Sequence, residues 1–137
     1  MLKKVVFLCS FLIFLTVYGV FADQDNYVAV YYFHTNFRCV SCHKIEQYTG
    51  ETINKSFTNE IKNGSLKYSV INVEEKGNEH YVKDYQLYTK SVVLSMVKNG
   101  KEVKNKNLDK VWQYLSNKDQ FMEYVKTETE SFLRETK

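Results

Sequence analysis

The sequence predicts an α/β domain in the element order β-α-β-α-β-β-α, with a central mixed sheet of about four strands flanked by helices. Three observations carry that prediction. A β-branched and aromatic run, Tyr27–Phe33, leads through a short turn into the helix-like segment that starts at Val40. A second β-like run follows that helix, and two strands joined through a helix are parallel when the crossover is right-handed. Lys98-Asn99-Gly100-Lys101 then separates two further strand-like runs, and Asn-Gly in that setting marks an antiparallel hairpin.

The first strand shows no polar alternation, the pattern of a strand covered on both faces. Thr35-Asn36-Phe37-Arg38 is its exit turn. From Val40 the apolar residues Ile45, Tyr48 and Ile53 recur near one helical face, and the pattern extends past Phe57 to Ile61. Gly50 weakens this helix by about 1 kcal/mol relative to alanine, and Asn63-Gly64 ends it. Leu66–Val73 is the second strand, Asn78–Leu87 a short helix, Ser91–Val97 the third strand and Glu102–Lys104 its hairpin partner. Leu108, Val111, Trp112 and Leu115 recur at helical spacing, as do Phe121, Met122, Val125, Phe132 and Leu133. Ser116-Asn117 breaks and recaps this C-terminal helical region.

The N-terminus reads differently. Lys3 and Lys4 precede an apolar run from Val5 to Phe21, and Val20 and Ala22 stand at the −3 and −1 positions before Asp23. This is the form of a signal peptide over residues 1–22, or of an N-terminal membrane anchor if the segment is retained. The expected location is outside the cytoplasm, in the periplasm or on the outer face of the cytoplasmic membrane. Residues 23–137 then make one domain. Without Lys3 and Lys4, 17 basic residues face 16 acidic ones. A balance so close to neutral gives no electrostatic footprint for nucleic acid, and it leaves the N-terminal segment as the sole expected membrane contact.

Cysteine usage is the sharpest clue to chemistry. Cys9 lies in the apolar leader, so the domain keeps only Cys39 and Cys42. A bond across two intervening residues closes a very small loop and removes little unfolded-state entropy, so the pair is a poor structural staple. Placed at a strand-to-helix turn, it is the working unit of a thiol–disulfide oxidoreductase. Cys39 at the helix start meets unpaired N–H groups and the positive end of the macrodipole, and Arg38, Lys44 and protonated His43 add positive charge. Cys39 is the expected nucleophile and Cys42 the resolving thiol, with the Cys39–Cys42 disulfide as the redox group and no separate cofactor.

Cys39-Val40-Ser41-Cys42-His43 also fits C-x-x-C-H, the haem-attachment signature. A β-like strand in front of the motif argues against a helical cytochrome. Two thiolates at an exposed turn, with His34, His43 or His80, form the basis of a metal- or metalloid-binding alternative. A strand-end hydrogen bond is the simpler role for His34, a solvated helix for His80 and core packing for Trp112.

The chain resembles the thioredoxin superfamily over about residues 26 to 105. Within it the likeness is closest to the exported nitrophenyl compound nitroreductase subunit ArsF family. The carrying segments run from Tyr31 to Glu46 across the cysteine pair, then Val70-Ile71-Asn72-Val73, Lys83 to Leu94, and Leu108-Asp109-Lys110-Val111-Trp112. The resemblance implies a thioredoxin-like fold and a monomer. It also implies electron exchange with a protein thiol or disulfide partner, of which a membrane electron carrier is one candidate. No flavin or nicotinamide fingerprint accompanies the family name.

Three departures from ordinary thioredoxins stand out. Val40-Ser41 replaces Gly-Pro between the cysteines, and Arg38 replaces the preceding tryptophan. Tyr31, Tyr32 and Phe33 fill the region where an acid on the first strand assists the resolving cysteine. The chain has no proline, so the cis-proline facing the disulfide is absent, with Val92 near its position after Ser91. These departures imply a dedicated partner rather than general disulfide reduction.

Overall fold

The computed structural model describes residues 25–137, so the N-terminal segment 1–22 lies outside the described residues. Strand β1 (Tyr27–His34) is the centre of a four-stranded sheet with order β2-β1-β3-β4. It pairs in parallel with β2 (Leu66–Asn72), Val30 opposite Tyr68, and antiparallel with β3 (Ser91–Lys98), Val30 opposite Leu94. Strand β4 (Lys101–Asn107) closes the hairpin. Asn99 and Gly100 take φ of 51° and 73°, the left-handed pair that a two-residue turn matched to strand twist requires. The predicted mixed sheet and thioredoxin-like α/β architecture are therefore present.

Helices α1 (Val40–Ser56) and α4 (Lys118–Thr136) cover one face of the sheet. Val28, Val30 and Tyr32 from β1 and Val92, Leu94 and Met96 from β3 meet Ile45, Ile53, Phe121, Val125 and Phe132 from the helices. Asn117 caps α4 by accepting from the Gln120 amide at 3.1 Å, as the sequence predicts. On the other face Tyr81, in α3 (His80–Asp84), and Tyr85, just after it, pack on Tyr31 and Phe33. Strand β4 is exposed along its whole length. Its alternate lysines fold back onto α4, Lys104 to Glu135 at 2.8 Å and Lys106 to Glu128 at 2.7 Å. Charges on an edge strand also discourage pairing with another chain.

Four elements differ from the sequence expectation. The first helix does reach towards Ile61, but it breaks at Phe57, where φ is −129°, and restarts as α2 (Thr58–Lys62). Phe57 is buried in the core, and that burial competes with helical continuation. The Asn78–Leu87 helix shrinks to five residues because Asn78 spends its side chain on the Asn72 carbonyl and Gln86 turns left-handed at φ 50°. Strand β4 runs to Asn107, beyond the expected Lys104, and accommodates a bulge opposite Met96/Val97. Residues 108–115 form only a 3₁₀ turn, Asp109–Val111, within a series of turns. The Leu108 amide is bonded to the Val92 carbonyl and the Trp112 indole to the Lys90 carbonyl, so tertiary anchors outweigh helical spacing there.

Candidate redox site

The cysteine turn stands at the C-terminal end of the sheet, held from three sides. The Thr35 hydroxyl donates to the Phe37 carbonyl at 3.1 Å. The Asn36 amide donates to the Glu74 carboxylate at 2.6 Å, and the Asn72 side chain donates to the Asn36 side-chain oxygen at 2.7 Å. The end of β2 thus fixes the turn that leaves β1. Lys90, in the segment entering β3, lies 5.6 Å from the centre of the Phe37 ring.

Cys39 is the N-cap of α1, with φ −88° and ψ 169°, and its sulfur accepts from the Cys42 amide at 3.2 Å. Any negative charge gained by that sulfur would meet the same amide and the helix N-terminus. Cys39 and Cys42 are joined in a disulfide with Cα atoms 5.0 Å apart. Cys42 is fully buried, while Cys39 is half-buried and its neighbour Val40 is exposed. One cysteine thus keeps part of its surface in solvent and the other has none. In chemical terms this is an asymmetric disulfide, one cysteine half-buried and the other packed beneath it.

Beneath the disulfide lies a polar layer. The Tyr32 hydroxyl donates to the Cys42 carbonyl at 2.8 Å. Burial pushes the Tyr32 pKa up, while the charge of Arg38 pulls the other way. The Arg38 guanidinium sits 5.9 Å from the centre of the Tyr32 ring and forms an ion pair with Glu46. Tyr68, from β2, is pushed up to about 12, first by burial and then by Tyr32, with Arg38 opposing.

The residues singled out in the sequence do not all converge. Cys39 and Cys42 do. Arg38 is present but engaged by Glu46 rather than free beside Cys39. His43 is exposed on α1. His34 stacks on Tyr32 at 5.9 Å and bonds through Nδ1 with the Thr35 carbonyl at 2.9 Å, the expected strand-end role. His80 pairs with Asp84 at 2.7 Å. Among the described residues, no group of three or more His, Cys, Asp or Glu side chains is arranged to hold a metal ion.

Sequence reasoning missed Tyr32 and Glu46 as parts of the site. Glu46 stands four residues after Cys42, one helical turn on the same face, and that spacing is the signal that could have found it. Ser91 and Val92, at the start of β3, pair with Phe33 and Tyr32 of β1, and no cis peptide occurs among the described residues. Just before β3, the Thr89 carbonyl accepts from the Ser91 hydroxyl at 2.9 Å and the Lys90 carbonyl from the Trp112 indole at 3.0 Å.

Fold and disulfide together define a thioredoxin-like domain with a C-x-x-C pair at the end of its central strand. No protein-family model and no curated protein matches the chain. Among solved structures it is similar to Fasciola hepatica thioredoxin, at 17% identity and a TM-score of 0.44, over 81% of this chain and 82% of that one. It is also similar to oxidised thioredoxin O2 of Arabidopsis thaliana, at 15% identity and 0.43, over 70% and 76%. The thioredoxin f2 of Chlamydomonas reinhardtii is similar at 17% and 0.43, over 77% and 91%.

Proposed function

We propose that this protein is an exported thiol–disulfide oxidoreductase that exchanges two electrons with a dedicated protein partner through Cys39 and Cys42. The observation that carries the reading is the asymmetry of the pair: a half-buried cysteine at the N-cap of α1, disulfide-bonded to a fully buried one.

In the reducing direction the Cys39 thiolate attacks one sulfur of the partner's disulfide. A mixed disulfide forms, and the first partner thiolate leaves and takes up a proton. Cys42 loses its proton and attacks Cys39, closing the Cys39–Cys42 bond and expelling the second partner thiolate, which is protonated in turn. The dithiol gives up two electrons and two protons, and the partner's disulfide gains them. Run backwards, the same steps oxidise a partner dithiol.

Dedication to one partner is supported by two features. Phe37 and Val40 expose large apolar side chains on either side of Cys39, a surface that a complementary protein would cover. The carbonyls of Thr89 and Lys90 are already bonded within the chain, which leaves less free backbone for pairing with an arbitrary extended peptide. Export is supported by the leader-like composition of residues 1–22, and the likeness to ArsF-family segments agrees with that setting.

Cys42→Ser tests the reading. Expressed with its native leader, this variant is expected to accumulate a mixed disulfide through Cys39 with a single dominant partner, while Cys39→Ser accumulates none. Reduction of insulin by the wild type is expected to be slow. Failure to trap any partner would overturn the redox role, as would a haem-sized covalent adduct on the isolated protein or thiols that titrate only after a metal is stripped.

A further inference from the structure

Arg38 and Glu46 are not used by the exchange steps above, yet they sit against the turn that performs them. Arg38 directly precedes Cys39, and Glu46 follows Cys42 by one helical turn. Their side chains are ion-paired and largely withdrawn from solvent, with 23% and 33% exposed. The guanidinium packs against Tyr32, whose hydroxyl is bonded to the Cys42 carbonyl. A positive group adjacent in sequence to Cys39 therefore packs on the ring whose hydroxyl is bonded to the Cys42 carbonyl, its charge countered by one carboxylate.

We propose that Arg38 and Glu46 form a charge clamp that sets the acidity of Cys39 once the disulfide is reduced. The inference rests on the redox reading and adds the residues that tune it. In the reduced protein, a Cys39 thiolate and the Glu46 carboxylate compete for one guanidinium. Arg38 draws the thiol towards ionisation, and Glu46 holds it back by repelling the thiolate and neutralising Arg38. Both act as positioning residues, through charge on Cys39, and neither touches the partner's disulfide.

Other charged and titratable groups surround the turn. They are His43 and Lys44 on α1, Tyr32 and His34 on β1, Tyr68 on β2, Glu74 after β2 and Lys90 before β3. All of these stay unchanged in the variants, so differences between variants report on the clamp.

The test is the thiolate absorbance of reduced protein against pH, together with the equilibrium between dithiol and disulfide in glutathione buffers. Arg38→Gln is expected to raise the Cys39 pKa by roughly one unit, the low end for losing an adjacent opposite charge. Its equilibrium should move by up to about tenfold towards the disulfide. Glu46→Gln is expected to do the reverse. The double variant should return towards the wild type, and Arg38→Lys should titrate close to it. If Arg38→Gln does not fold, Glu46→Gln and Arg38→Lys still give the sign and the rescue.

A general disturbance of packing has no reason to give opposite signs that cancel in the double variant. Coincident titration curves, or shifts in one direction for both single variants, would overturn the clamp while a reversible wild-type equilibrium leaves the redox reading standing. A wild type that reaches no reversible equilibrium with glutathione would overturn both.

Discussion

The two faces of the sheet are built on different principles. Towards α1 and α4, β1 and β3 present mostly aliphatic residues, and helices of 17 and 19 residues lay a continuous apolar stripe across them. Towards α3, the contact is aromatic: Tyr31, Phe33, Tyr81 and Tyr85 meet with ring centres 5.1 to 6.1 Å apart. A five-residue helix holds them, too short to be stable by itself. That face is pinned by a polar anchor, in which the Tyr85 hydroxyl donates to Glu102 at 2.6 Å and the Ser95 hydroxyl donates to the same carboxylate. One face relies on buried area, the other on ring contacts and a single hydrogen-bonded carboxylate. Buried Cys42 belongs to α1 on the first face, so the cysteine turn rests on the more extensive core.

The largest expected effect tests that contrast directly. Phe121 is fully buried and meets Tyr48 edge-on at 5.4 Å. Phe121→Ala should cost about 3–5 kcal/mol in urea unfolding, the usual range for a buried phenylalanine. Tyr81→Ala, on the α3 face, should cost clearly less, since Tyr81 is only partly buried. Equal losses would mean that the short helix and its rings are as integral to the core as α4, and the contrast would fail.

Next in size is the anchor. Tyr85→Phe keeps the ring and deletes a hydrogen bond to a carboxylate, an expected loss of about 1–2 kcal/mol at neutral pH. It should also change the alkaline limb of stability. Burial pushes Tyr85 up, and its bond and proximity to Glu102 add to the shift. Tyr31 is pushed up to about 12, first by burial and then by Tyr81. A phenol whose folded pKa is raised contributes stability that is complete below its unfolded pKa of 10.0 and is lost as pH rises through the folded value. Stability should therefore fall above pH 10. Tyr31→Phe with Tyr85→Phe should flatten that fall more than Tyr68→Phe, which removes the corresponding group from the α1 face. A steeper contribution from Tyr68 would place the alkaline weak point in the polar layer under the disulfide instead.

The same contrast explains what the sequence made legible. Strand β1, the Asn99-Gly100 turn, the Asn117 cap and the Cys39–Cys42 pair were visible because each is written in neighbouring residues. The helical spacing of Leu108 to Leu115 misled because Leu108 and Trp112 answer to partners in and before β3, far away in sequence. The aromatic face was half legible: Tyr81 and Tyr85 have helical spacing, but Glu102, which ties Tyr85 down, lies across the hairpin. At the site the cysteines were plain and their electrostatic surroundings were not. Arg38 read as a free positive charge, because its pairing with Glu46 requires the path of the chain around the first two turns of α1.

The smallest effect lies where the two long helices meet at the surface. Lys118, the first residue of α4, pairs with Glu51 of α1 at 2.8 Å, and Gln47 donates to the same carboxylate at 3.0 Å. The hydrogen bond from Lys118 is the largest cause holding Glu51 at about 2, below its ordinary 4.5, followed by that from Gln47. A carboxylate with a depressed folded pKa contributes stability that is present above the unfolded pKa and lost as pH falls through the folded one, here between 4.5 and about 2. The pair is solvent-accessible, so water and salt screen it and the contribution is small. Glu51→Gln should make stability fall less steeply across that acid window, and added salt should shrink the difference from the wild type. Neutral-pH stability should change little, because the core of this face is held by buried apolar area. An unchanged acid slope would show that the α1–α4 joint draws nothing measurable from this ion pair. A large loss at neutral pH would show that the area-built face also depends on a polar anchor, as the aromatic face does.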